Sequence, residues 1–279
     1  MNPNDEPSKP YSRTLRLALI AAISGVSLIV LVAVGQPTQL PAAPPPPPVA
    51  ASELTPASFR EPATDPVGEL LIEARKAWKN VRMYTCTFAA HERIGDKLTP
   101  ESVCKMAAAN EPFRVYLKYT GPRELMGQEV VFVAGKNNGR MRVRGSGLKG
   151  AIGFISLATD DPRALENTRH RIEEAGIGSL IESIGKSAEI GKSIKTEVNV
   201  GAFKVDDRLC TRVDIVVRDD SKRAKQIAPR CMIYFDRENH LPVRFEAWDG
   251  DKKDSRLIES FTYTNLVLNP EIPDSTFAK

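Results

Sequence analysis

From Met83 to Leu268 the chain is written in short runs where apolar and polar residues take turns. Phe113, Val115, Leu117 and Tyr119 fall on one parity, and Arg114, Tyr116 and Lys118 on the other. Met141 and Val143 alternate with Arg140, Arg142 and Arg144; Val243, Phe245 and Ala247 alternate with Arg244, Glu246 and Trp248. A period of two places successive side chains on opposite faces of a strand, so each run predicts a strand with one apolar and one polar face. Candidate strands are Met83–Arg93, Glu101–Ala108, Phe113–Tyr119, Glu129–Ala134 and Arg140–Arg144, then Thr196–Val205, Arg208–Arg218, Arg230–Asp236, Leu241–Trp248 and Leu257–Leu268. Turn residues separate them, among them Gly95-Asp96, Gly121-Pro122 and Asn137-Asn138-Gly139. About ten antiparallel strands cannot stay flat and uncovered, so the sheet must curl and its apolar face must be roofed.

Two helical patterns supply a roof. Asp65 is a predicted N-cap with Pro66 at the first helical position, and Val67, Leu70, Leu71, Ala74, Trp78 and Val81 then recur at helical spacing. Ile177, Leu180, Ile181, Ile184 and Ala188 mark a second amphipathic helix, interrupted by glycines at 178, 185 and 191. A short polar helix is predicted to begin at Asp161-Pro162. The fold class is therefore α+β: a large curved antiparallel sheet with helices on its concave face.

The segment before this domain has a different character. Residues 17–34 read LALIAAISGVSLIVLVAV, and no charge occurs from Leu17 to Ser52. At about 1.5 Å per residue this run reaches the roughly 30 Å of a bilayer core. Lys9, Arg13 and Arg16 precede it, and no basic residue follows before Arg60. The positive-inside rule then predicts residues 1–16 in the cytoplasm, a transmembrane signal anchor at 17–35, and the rest across the inner membrane in the periplasm. A cleaved signal peptide ending near Gly35 is the competing expectation. Residues 36–64 form a linker around the run Pro44–Pro48, expected to be extended polyproline II. The globular domain covers 65–279.

Charge and motifs narrow the chemistry. The net charge of +4 gives no basic stripe of the kind that binds nucleic acid. Gly145-Ser146-Gly147-Leu148-Lys149-Gly150 matches G-x-G-x-x-G, but it follows an antiparallel strand and precedes apolar, glycine-rich residues, so it reads as a flexible apolar loop. His91, His170 and His240 stand in no nucleophile motif, and the acidic pairs Asp160-Asp161 and Asp219-Asp220 read as solvated turns. No catalytic residue, metal site or cofactor is predicted. The four cysteines allow three pairings; Cys86 with Cys104, and Cys210 with Cys231, lie on neighbouring candidate strands and are the candidate disulfides.

The stretches YTCTFAAHERIGDKLTPESV and EPFRVYLKYTGPRELMGQEVVFVAGKNNGR resemble an uncharacterised bacterial family, domain of unknown function 1571. Residues 231–248, CMIYFDRENHLPVRFEAW, and the ending FTYTNLVLNPEIPDSTFAK resemble the wider LolA-like lipoprotein-carrier superfamily. That resemblance implies a half-barrel that shelters a lipid, a lipoprotein acyl chain or another apolar ligand without catalysis. By strand parity the expected lining is Phe88, Val115, Leu117, Val131, Val133, Ile215, Ile233 and Phe245. The alternative is an envelope regulatory or scaffold module that binds a partner protein through the same fold.

Overall fold

The structure is a computed structural model that describes residues 65–279. The expected span at 17–35 and the linker at 36–64 lie outside the described residues. Among the described residues no helix is long and apolar enough to cross a membrane.

Helix α1 (Pro66–Trp78) starts where the sequence predicts: the Asp65 carboxylate accepts the Gly68 N–H at 2.9 Å, and Pro66 occupies the first turn. The strands that follow are β1 (Met83–Ile94), β2 (Lys97–Leu98), β3 (Ser102–Asn110), β4 (Phe113–Gly121), β5 (Glu129–Val133), β6 (Met141–Arg144) and β7 (Phe154–Leu157). Helix α2 (Ile177–Gly191) leads to β8 (Thr196–Val205), β9 (Arg208–Val217), β10 (Arg230–Asp236), β11 (Pro242–Trp248) and β12 (Leu257–Leu268). Every pairing is antiparallel, in the order β7-β6-β5-β4-β3-β1-β12-β11-β10-β9-β8, with the short β2 paired to β1. The sheet thus closes in its middle: β1 and β12, from opposite ends of the domain, lie side by side.

Strands spaced at about 4.8 Å would make this sheet roughly 50 Å wide if flat, while a helix is about 10 Å across. Two helices cannot roof that width, so the inner face wraps towards them. Met141 of β6, Leu157 of β7, Val213 of β9 and Ile233 of β10 accordingly share one core cluster with Leu71 and Ala74 of α1 and Ile181 and Ile184 of α2.

The helices touch through glycine. A Cβ at Gly178 would sit 2.8 Å from the Trp78 ring, and one at Gly185 would strike the Arg75 guanidinium. Two of the three glycines expected to interrupt α2, Gly178 and Gly185, are instead the points where α1 packs against it. The outer face is mainly polar, with two apolar exceptions: Phe203, Cys210, Tyr234 and Val243 on one side, and Ala107, Ala109 and Phe277, where the C-terminal segment folds back, on the other.

Three expectations are corrected. The sheet has twelve strands rather than about ten; β7 was hidden in the glycine-rich stretch expected to be a loop. No helix begins at Asp161-Pro162. The Asp161 carboxylate takes both the Arg163 N–H (3.0 Å) and its guanidinium, holding an Asx-type turn. Residues 158–176 run on as an irregular strap with one turn of 3-10 helix at Ile172–Glu174. No candidate disulfide forms, and all four thiols are free. Cys86 faces Met106 and Cys104 faces Phe88, which leaves the two cysteines two positions out of line. Cys210 packs on the outer face while Cys231 points into the interior, so a bridge between them would have to cross the sheet.

Candidate functional site

Between the inner face of the sheet, helix α2 and the strap lies a cavity of about 1600 Å³. Typical small-molecule pockets hold roughly 300–1,000 Å³, so this one has room for an extended chain or several.

Its floor is apolar and largely aromatic. Phe245 of β11, Phe261 and Tyr263 of β12, and Phe88 of β1 form a continuous row on adjacent strands. The centroids are 6.3 Å apart for Phe245 and Phe261, 6.0 Å for Phe261 and Phe88, and 5.0 Å for Phe88 and Tyr263. Leu117 of β4, Ile215 of β9 and Ile233 of β10 extend the floor to either side.

Of the eight expected lining residues, the structure brings Phe88, Leu117, Ile215, Ile233 and Phe245 together around the cavity. Val115 lies in the packed core, fully buried, without facing the open space. Val131 and Val133 do not line it. In β5 the run Glu-Val-Val-Phe-Val carries no alternation, and Val130 and Phe132 take the inner face while Val133 packs outside against Ala107 and Phe277. Phe261 and Tyr263 were missed, although the alternation of Phe261-Thr262-Tyr263-Thr264 carried the signal.

One wall is polar. Glu92 and Glu259 are direct cross-strand partners in the β1–β12 register, and both point inward. Like charges placed so are destabilising, unless something neutralises them. The strap does. Glu92, only 5 % exposed, accepts the Arg169 N–H at 2.7 Å and the Thr168 hydroxyl at 2.9 Å. The Glu259 carboxylate lies 3.0 Å from His170 Nε2 and 3.5 Å from the Arg169 guanidinium. The other ring nitrogen of His170 is 3.1 Å from Glu174. The Glu259 carboxylate beside the ring, with help from Glu92 and Glu174, outweighs burial and raises the His170 pKa to about 9. Glu92, His170 and Glu259 together offer one carboxylate oxygen, one imidazole nitrogen and another carboxylate oxygen within 4.8 Å of one another. Sequence reading missed this group because its members are 78 and 89 positions apart.

The cysteines add no nucleophile. Burial pushes the Cys104 and Cys231 thiols up to about 12 and Cys210 up to about 11, and raises Cys86 as well. A thiol at those values carries almost no thiolate at neutral pH. The ring nitrogens of His170 and His240 lie beside carboxylates.

The rim is apolar and exposed. Gly145, Ser146 and Lys149 border the cavity, and from the same loop Leu148 and Ile152 stand 94 % and 78 % exposed. At the far edge of the sheet, Val198 and Val200 of β8 are also exposed.

The family model for proteins of unknown function DUF1571 matches residues 81–279. No curated protein matches the chain. Among solved structures, the chain is similar to an uncharacterized conserved protein from Thermus thermophilus, at 8 % identity and TM-score 0.42, covering 76 % of this chain and 92 % of that one. It is similar to the lipoprotein LppX of Mycobacterium tuberculosis, at 11 % identity and TM-score 0.42, covering 75 % and 99 %. A LolA superfamily protein from Nitrosomonas europaea matches at 11 % identity and TM-score 0.29, covering 76 % and 97 %.

Proposed function

The chain belongs to the DUF1571 family of proteins of unknown function, and from that premise we propose that it is an extracytoplasmic binding protein which shelters a lipid, an acyl chain or another apolar ligand and performs no catalysis on it. The observation that carries this reading is the cavity of about 1600 Å³ over a floor of aligned aromatic rings. Each methylene moved from water onto such a floor contributes about 0.8 kcal/mol, so a chain of a dozen carbons is held without any polar contact. The exposed Leu148 and Ile152 beside the rim favour loading from a membrane surface, where these side chains would be covered. The apolar run at 17–34 and the proline-rich linker favour a protein tethered to the inner membrane with its domain in the periplasm. A tethered carrier hands its ligand on locally instead of diffusing away with it.

Native mass spectrometry of the full chain, extracted gently from membranes, tests this. Co-purifying lipid, displaced by a fluorescent fatty acid, is the expected result. A persistently empty protein that gives no fluorescence change at saturating probe overturns it.

Val198 and Val200 on the edge strand β8 favour the second reading, a module that docks an envelope protein along that edge. Site-specific crosslinking from position 200 in cells tests it: a discrete protein adduct supports docking, and lipid or no adduct removes it.

A further inference from the structure

The polar wall of the cavity has a feature that apolar binding does not use. Glu92 and Glu259 face each other across β1 and β12 inside a largely apolar chamber, and His170 is held between Glu259 and Glu174. We propose that Glu92, His170 and Glu259 form a binding site for a divalent transition-metal ion such as Zn²⁺.

Three observations carry the assignment. The first is compactness. Two donors on one ion at about 2.1 Å each lie at most about 4.2 Å apart, and the three donors here already fall within 4.8 Å of one another. A small side-chain adjustment closes the set around a single ion. The second is the outer partner of the histidine. A metal-binding imidazole usually gives its other ring N–H to a carboxylate, which sets its tautomer and orientation; Glu174 stands 3.1 Å from His170 Nδ1 in that position, leaving Nε2 towards Glu92 and Glu259. The third is charge and access. The two inward glutamates, neutralised by the strap in this structure, carry the negative charge that balances a divalent ion, and the site opens on the cavity, leaving coordination positions free for water or a ligand.

The donor set selects the class of ion. One imidazole with two carboxylates, and no thiolate, suits Zn²⁺ or Mn²⁺ better than soft Cu(I). When the ion enters, the proton that His170 holds on Nε2 leaves to solvent, and the ion takes its place between the ring and the Glu259 carboxylate. Arg169, 3.5 Å from Glu259, and Thr168, bonded to Glu92, are the strap groups that must yield.

The test uses the full chain in mild detergent, stripped with a chelator and dialysed. Zn²⁺ is titrated by calorimetry, and Co²⁺ is followed by its visible absorption. One equivalent is expected to bind, with a Co²⁺ spectrum showing imidazole and carboxylate coordination. His170→Gln and Glu259→Gln are each expected to weaken Zn²⁺ by tenfold or more, and Glu174→Gln by about 10- to 100-fold. His240→Gln, beside Glu73 on the surface, is the control expected to change nothing. Thermal melts establish that each variant is folded. Failure to bind one equivalent, or Zn²⁺ affinity unchanged by His170→Gln and Glu259→Gln in folded protein, overturns the site and leaves the group as an ion-pair latch. Fatty-acid displacement in chelator is run alongside. Its persistence in a protein that binds no metal separates failure of this site from failure of the apolar cavity.

Discussion

The hydroxyl of Tyr84 accepts the N–H of Ile177 at 3.1 Å, so a strand side chain caps the helix that roofs the cavity. Both residues are fully buried, and Gly176, with φ at +99°, turns the strap so that the amide points at the ring. Tyr84→Phe would leave that amide buried and unpaired. A loss of about 1–3 kcal/mol is expected, read as a fall in Tm of several degrees. A melt unchanged within a degree would mean that the amide finds another partner.

Gly178 inverts an ordinary rule. Glycine to alanine in a helix interior normally gains up to about 1 kcal/mol. Here the new methyl would meet the Trp78 ring at 2.8 Å, so Gly178→Ala is expected to cost about 1–3 kcal/mol in urea unfolding. Gly191, at the end of the same helix, has nothing within 4 Å of its would-be Cβ, and Gly191→Ala is expected to be neutral or slightly stabilising.

Asp236 predicts an acid dependence. It is 1 % exposed, and burial alone would raise its pKa. The Arg208 guanidinium and the N–H groups of Asn239 and Glu238 outweigh that and hold it below the ordinary carboxylate value. A carboxyl depressed in the folded state contributes stability that is complete above its unfolded pKa, about 3.9, and is lost as pH falls through the folded value. Arg208→Ala is therefore expected to cost about 3 kcal/mol at pH 7, where it strands a buried charge. The penalty should shrink below about pH 4. Urea midpoints of both proteins from pH 7 to pH 3 check this; a constant gap would refute the assignment.

The cavity floor predicts a contrast between two residues once grouped together. Ile215→Asp places a charge on the floor and is expected to weaken fatty-acid binding by more than tenfold, about 1.4 kcal/mol or more. Val133→Ala, on the outer face, is expected to leave binding unchanged while lowering stability by about 1 kcal/mol. Equal effects on binding would mean the cavity is not where the probe goes.

That contrast shows what was legible in the sequence. Strands with strict alternation, such as Phe113–Tyr119, declared both their existence and their inward face. The β5 run of consecutive apolar residues declared only its existence, because parity cannot be read where nothing alternates. Leu117 and Phe245 came from strands that alternate strictly, whereas Ile233 lies in the unbroken run 231–235 and found its inward face without that signal; two of the three that do not line the cavity came from β5. Val115 had the right parity but lies where packing leaves no space. The strap at 158–176 was illegible for another reason: beyond the local turn at 161–163, the hydrogen bonds that place it run to Glu92 and Glu259 on distant strands.

The pairing of β1 with β12 also sets a schedule. Tyr84 finds Leu268 across almost the whole domain, so the two halves of the sheet share no seam until the last strand arrives. Long loop closures of this kind are slow, and until closure both β1 and β11 present raw edges to any neighbouring chain. The domain therefore commits to its native state late and as one unit, and a chain cut short before residue 257 is expected to be a target for proteolysis rather than a smaller folded domain.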